Sequence, residues 1–408
     1  MARKQETAET IKSRGAPERF QLGILEFASL AGFILVLVGF GYIAFSRGGV
    51  DYRGYHAAAM LVLRGGNPYD YAQLAPVLEE IAGFQSNNPF FYPPWYVLPF
   101  LPLALLPFQA ARAVWIVINL VLFVLSVEWI RDAINWKLDG WRRWLVFLGA
   151  FLTFGAFCLI SEQAGILLLF GAALALRSLK YDRPALAGLG LVILFTKPQA
   201  TIIAVAVLGL WMFLYKRKSV LWALAWVVIL TVIASIAMPN WWSFESKGFG
   251  EGLIYQLQGP GQIEFRRVYG TIYDYLSHSL SITGLPSYLI AALLGVVGLA
   301  LVGIAWFKYK SPEIITGTGI LLTLLVTPYA LQYDYVPLIV LVFWLQMRSL
   351  QSIWQVRLAV ILLLLFVFSV LIWQEWSYQG YWQVIGVLVA AIVVMASEYR
   401  MEKRPQFA

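Results

Sequence analysis

Residues 89–130 read PFFYPPWYVLPFLPLALLPFQAARAVWIVINLVLFVLSVEWI. How often they cross a membrane decides the topology of everything after them. The stretch is apolar enough for two helices. Its first part, Pro93–Pro107, carries five prolines. A proline inside a helix removes a backbone hydrogen bond and clashes with the preceding turn, at ~3 kcal/mol. The segment therefore reads as a broken helix lying in the outer interface, followed by one true crossing from Ala110 to Ile130.

The rest of the chain sets the context. It has 408 residues, of which 60% are hydrophobic and 13% charged; soluble domains run at roughly 45–50% and about 25%. That excludes an ordinary soluble enzyme and any disordered or fibrous class. The net charge of +8 would suggest nucleic acid in a soluble protein. Here the bases sit in short clusters between apolar runs, which is a membrane pattern. One cysteine, Cys158, forbids an internal disulfide, and the two histidines, His56 and His278, leave little for a histidine-rich metal centre. The first apolar run, about Leu22 to Phe45, is too long for a signal-peptide core and reads as a first crossing.

Further crossings are expected near Arg143–Ile160, Gln163–Ser178, Pro184–Thr196, Gln199–Tyr215, Ser219–Met238, Leu285–Phe307, Glu313–Tyr329, Tyr333–Met347, Arg357–Trp373 and Gly380–Val394. Most approach the length that a ~30 Å hydrocarbon core demands. With a cytoplasmic N-terminus, 22 of the 30 bases fall on the cytoplasmic side and eight outside, as the positive-inside rule requires. Two crossings within 89–130 would invert every later loop. One crossing gives twelve in all, with both termini cytoplasmic. The fold class is thus an all-α polytopic membrane protein forming one integral domain over 1–408. It has a first external loop at 46–107 with interfacial helices and a second at 239–285. Chemistry belongs on that external face, because the cytoplasmic loops are too small to form a domain. No phosphate-binding glycine loop is present, which argues against an ATP-driven pump.

Asp51 follows the first crossing within a few residues, in VDYRGYH. A carboxylate just outside the membrane can act as a general base or a cation ligand. It can equally cap the short helix that follows. Tyr52, Arg53, Tyr55 and His56 supply polar groups beside it, and Arg64-Gly65-Gly66-Asn67-Pro68-Tyr69 reads as a turn. Lys197, in FTKPQ, is a lone base at membrane depth: either a phosphate contact or a lysine snorkelling to the interface. Arg266-Arg267 is a further anion candidate, or plain soluble surface. Glu162-Gln163 and Gln332-Tyr333-Asp334 mark short external turns that are sites or connectors.

In order along the chain, these pieces are Asp51, RGGNPYD, FYPPWYVLPFLPLALLP, EQAG, RPALAGLGLVILFTKPQ and TPYALQYDYVPL. Over roughly Leu22 to Leu345 the chain resembles glycosyltransferase family 87, the polyprenol-phosphate-mannose-dependent mannosyltransferases of type C membrane fold. The resemblance implies transfer of a sugar, mannose in that family, from a polyprenyl-phosphate donor to a lipid or glycan acceptor at the external face, with inversion. It places the family's catalytic aspartate on Asp51 and the lysine of its Lys-Pro turn on Lys197. Many members carry a histidine in the late polar turn, where this chain has Gln332 and Asp334. Expected donor-phosphate contacts are Lys197, Arg266, Arg267 and Arg112. Expected acceptor or sugar contacts are Tyr52, His56, Asn67, Tyr92, Glu162, Gln163, Gln332 and Asp334. No cofactor or metal is expected, because a donor with a single phosphate has less need of a divalent ion. The expected partners are the bilayer, the lipid-linked sugar and its acceptor, and not nucleic acid.

Two other classes compete with this reading. A polytopic lipid or polysaccharide transporter would bury paired charges in mid-helix, whereas these charges lie at helix ends. An oligosaccharide ligase would rely more on Arg266, Arg267 and His278. The topology is checked by single-cysteine labelling. A cysteine at Gly66 should label from outside and one at Arg217 only after permeabilisation. Labelling of both from one side would overturn the orientation.

Overall fold

The computed structural model describes residues 23–47, 50–83, 89–242, 270–372 and 380–402. Arg266 and Arg267 lie outside these, as do most of residues 239–285 and the side chain of His278. The described residues are helical, with no strand. Helix α1 spans Ile24–Arg47, α2 Val50–Leu63, α3 Tyr71–Ala82, α4 Phe108–Ala133 and α5 Trp141–Ser161. Next come α6 Gly165–Lys180, α7 Pro184–Leu194, α8 Pro198–Tyr215 and α9 Arg217–Ala237. The chain continues through α10 Ile272–Ser279, α11 Leu285–Tyr309, α12 Pro312–Val326, α13 Ile339–Leu350, α14 Trp354–Ile372 and α15 Tyr381–Glu402.

Seven of these, α1, α4, α5, α8, α9, α11 and a stretch of α15, are long and apolar enough to cross a membrane. Helices α7 and α12 and the stretch Trp354–Val367 of α14 are apolar but shorter. The apolar run from Tyr333 is not one helix: a 3-10 turn over Gln332–Leu338, which contains Pro337, precedes α13. Exposed leucines, isoleucines and valines line α1, α9 and α11, the outward apolar surface that a lipid-facing helix needs.

The proline-rich stretch is broken as its composition dictates. Pro94–Phe100 and Leu103–Leu105 form 3-10 turns, and α4 starts only at Phe108. Tyr96, Val97 and Phe100 are buried against the first helices of the 46–107 loop, so the piece braces that loop from within.

Small residues let helices approach closely, the packing device of membrane interfaces. Gly171 of α6 faces the end of α7, where an added Cβ would stand 2.6 Å from the Leu194 amide nitrogen. Gly165 opens α6 directly under the backbone carbonyl of Tyr333. Helix α5 carries a π segment at Phe151–Gly155, a widening often found near functional sites. It ends with Glu162 in the left-handed region at φ 57°.

The bundle has two polar ends. One holds Asp51 after α1, Glu162 and Gln163 after α5, Lys197 before α8 and Asp334 before α13. At the other, Asp132 accepts from Arg177, Lys180 and Tyr181, and Lys216 pairs with Asp182 at 2.9 Å. Replacing Gly171 with Val should destabilise the protein by about 1–3 kcal/mol through overpacking, read as a lower melting temperature in detergent. An unchanged melting temperature would show that α6 and α7 separate easily.

Candidate active site

Asp51 stands in the first turn of α2, where a carboxylate is favoured by the helix dipole. It is only partly exposed. Gln163 donates a side-chain hydrogen bond to it, and Lys197 and Asp334 lie within electrostatic reach. Burial dominates this balance and pushes the Asp51 carboxyl up to about 6, against the pull of Gln163 and Lys197. A carboxylate with such a value is ionised at neutral pH yet basic enough to take a proton.

Gln163 is fixed from several directions. Its Oε1 accepts from Tyr55 Oη at 2.8 Å, Tyr92 Oη at 3.3 Å and the Ala164 amide at 3.2 Å. Tyr55 and Tyr92 are also 2.8 Å apart, so one hydroxyl donates to the other while its partner donates to Gln163. Their rings lock against Tyr96 and Phe100, with centroids 4.2–5.3 Å apart. The 3-10 turn of the proline-rich stretch thus supports the tyrosines that hold Gln163.

Two buried ion pairs flank Asp51. Lys197 donates to Asp334 Oδ1 at 2.6 Å, with side chains 4% and 0% exposed. The ammonium also sits 4.5 Å from the centre of the Tyr333 ring. Asp334 Oδ2 accepts from the Leu331 amide at 3.1 Å, which fixes the carboxylate. Lys197 directly precedes α8, whose first residue is Pro198. A cation at a helix N-terminus is disfavoured, and Asp334 offsets this. In the second pair, Arg112 Nη2 reaches Glu162 Oε1 at 2.7 Å, with side chains 1% and 0% exposed. Arg112 also donates to Gln109 and to the Ala44 carbonyl of α1, and Trp115 donates to the Glu162 carbonyl at 3.2 Å. Burial pushes Glu162 up, and Arg112 pulls it back.

The structure therefore gathers Asp51, Tyr92, Arg112, Glu162, Gln163, Lys197 and Asp334 at one end of the bundle. Gln332 is half-buried in the same 3-10 turn as Asp334. Tyr52 and His56 are buried on α2, and neither the Tyr52 hydroxyl nor His56 Nδ1 has a hydrogen-bond partner among the described residues. Burial holds His56 below its usual range, which keeps it neutral. Asn67 serves the turn: its Oδ1 accepts from the Tyr69 amide at 3.0 Å and its Nδ2 donates to the Asn240 carbonyl at 3.0 Å. Tyr55 and Tyr333 were named in the sequence beside Asp51 and Asp334 but given no contact of their own. Tyr55 was within reach, since it lies one helical turn after Asp51. Tyr333 lies between two residues already singled out. Among the described residues, no three of His, Cys, Asp and Glu gather to hold a metal.

The family model for glycosyltransferase family 87 matches residues 90–328, more than half of the chain. The match includes Arg112, Glu162, Gln163 and Lys197 and begins after Asp51. No curated protein and no solved structure matches the chain.

Removing one partner of a buried ion pair leaves an uncompensated charge and costs about 3–5 kcal/mol. Arg112→Ala should therefore lower the melting temperature strongly, and the double variant Arg112→Met/Glu162→Gln much less. Equal losses would show that the packing of the Arg112 stem, not the charge pair, is what matters.

Proposed function

The chain belongs to glycosyltransferase family 87, and we propose that it moves a hexose, mannose by the family resemblance, from a polyprenyl-phosphate donor to a hydroxyl of a lipid or glycan acceptor. In this reading twelve helical passes carry the chain through the bilayer, both termini are cytoplasmic and the site faces outside. A donor whose tail cannot leave the bilayer needs its chemistry at the ends of membrane helices, which is where the polar cluster sits.

The reading is carried by one observation. A partly exposed carboxylate, Asp51, is held by an amide within the field of a buried lysine at one end of an apolar bundle. Asp51 takes the acceptor hydroxyl proton. The acceptor oxygen bonds the anomeric carbon from the face opposite the phosphate. The bond from that carbon to the phosphate oxygen breaks, and the electron pair leaves with the phosphate. A single displacement inverts the configuration. Lys197 stabilises the charge that develops on the departing phosphate, and the phosphate competes with Asp334 for it. Arg112, fully engaged with Glu162, Gln109 and Ala44, shapes the site rather than meeting the donor.

A positioned base contributes about 10²–10⁴-fold in rate. Asp51→Asn keeps size and capping capacity, so transfer from a radiolabelled polyprenyl-phosphate sugar should fall by that factor. The melting temperature should not fall. A carboxyl raised to about 6 contributes most stability in acid and loses it as pH rises through that value, so a neutral amide is no worse at pH 7. The wild-type rate should decline as pH drops below about 6. An active Asp51→Asn protein would refute the assignment.

A further inference from the structure

We propose that Gln163 is the positioning residue of the site: its amide holds the Asp51 carboxylate in place, and it does so because the tyrosine pair Tyr55–Tyr92 fixes which way the amide faces. The inference rests on Asp51 being the base. The Ala164 amide and one hydroxyl at a time donate to Gln163 Oε1, the 2.8 Å Tyr55–Tyr92 bond taking the proton of the other. A carbonyl oxygen so occupied leaves only the NH₂ group for Asp51. The opposite orientation would set an amide nitrogen against a backbone N–H and force both hydroxyls to turn. The side chain is therefore a one-way donor, and a donor favours the charged form of its partner.

The backbone supports the same role. Glu162, with its positive φ, sets the turn, and Arg112 clamps that turn to α1 through the Ala44 carbonyl. Cys158 donates to the Gln163 carbonyl at 3.3 Å. With its atoms engaged by protein, Gln163 acts on the reaction through Asp51 rather than through the sugar.

The groups that face Asp51 are known from each packed element. Tyr55 comes from its own helix, Tyr92 and Tyr96 from the proline-rich stretch, and Glu162 from the same turn as Gln163. Lys197 comes from the start of α8, and Tyr333 and Asp334 from the turn before α13. Lys197 alone among these is a cation. Losing the Gln163 donor leaves Lys197 opposing burial and the neighbouring carboxylates, so the Asp51 proton is held more tightly.

The test is the pH dependence of kcat/KM for transfer from a polyprenyl-phosphate sugar, using the full chain in detergent. Gln163→Leu should move the acid limb upward by about 1–2 pH units. Its activity should recover toward wild type at alkaline pH, with the donor KM little changed. The double variant Tyr55→Phe/Tyr92→Phe keeps the amide but frees it to turn, and should shift the limb in the same direction by less. It also serves if Gln163→Leu fails to fold. An acid limb that stays put in both, or a loss that no pH restores, overturns the proposal. A raised KM with an unmoved limb would instead make Gln163 a sugar ligand. A wild-type protein without transfer, or an active Asp51→Asn, would fail the reading beneath it, and those controls separate the two failures.

Discussion

Charge buried at the ends of apolar helices must be paired, and that constraint organises the polar end of this protein. Taking an ion out of water costs several kcal/mol, and a partner repays it only with good geometry. Arg112–Glu162 and Lys197–Asp334 meet that demand, with contacts of 2.7 and 2.6 Å. Each pair also fastens together parts far apart in sequence. Arg112 joins α4, α1 and the turn after α5. Lys197 joins the start of α8 to the turn before α13. The site is thus assembled by the same contacts that make its burial tolerable.

The proline-rich stretch shows how local physics reaches the chemistry. Five prolines between 93 and 107 prevent a continuous helix. What remains is compact 3-10 turns rich in aromatic side chains, and these wedge against α2. Tyr96 and Phe100 hold Tyr55 and Tyr92, which hold Gln163. A regular helix there would present its side chains around a full circle. The broken one sets Tyr96 and Phe100 against Tyr55.

Much of this was legible in the sequence, and the limit has a physical form. The helices follow from apolar runs and their punctuation by proline and charge, which are local signals. Asp51, Lys197, Gln163 and Asp334 were each conspicuous as polar groups beside such runs. Their partners were not legible, because the pairings span 50 residues for Arg112–Glu162 and 137 for Lys197–Asp334. Nothing in local pattern says that a base at a helix end already has a carboxylate against it. Arg112 therefore read as a phosphate contact when its guanidinium is committed within the protein. Short helices were hard for a related reason. The stretch from Tyr333 is apolar throughout, but Pro337 and the need to bring Asp334 to Lys197 turn its first part into 3-10 structure.

Asp51 differs from the two carboxylates beside it in having no cation in direct contact. Glu162 and Asp334 are each in direct contact with a cation, at 2.7 and 2.6 Å, so their oxygens are already engaged. Asp51 receives an amide hydrogen bond and only a distant share of Lys197. An amide stabilises a carboxylate less than a guanidinium does, so burial prevails and the carboxyl stays near 6. A second arginine in place of Gln163 would hold Asp51 more firmly and remove its basicity. In the proposed mechanism the neutral donor orients Asp51 without taking away its affinity for a proton, and Asp51 keeps the partial exposure that an acceptor hydroxyl needs.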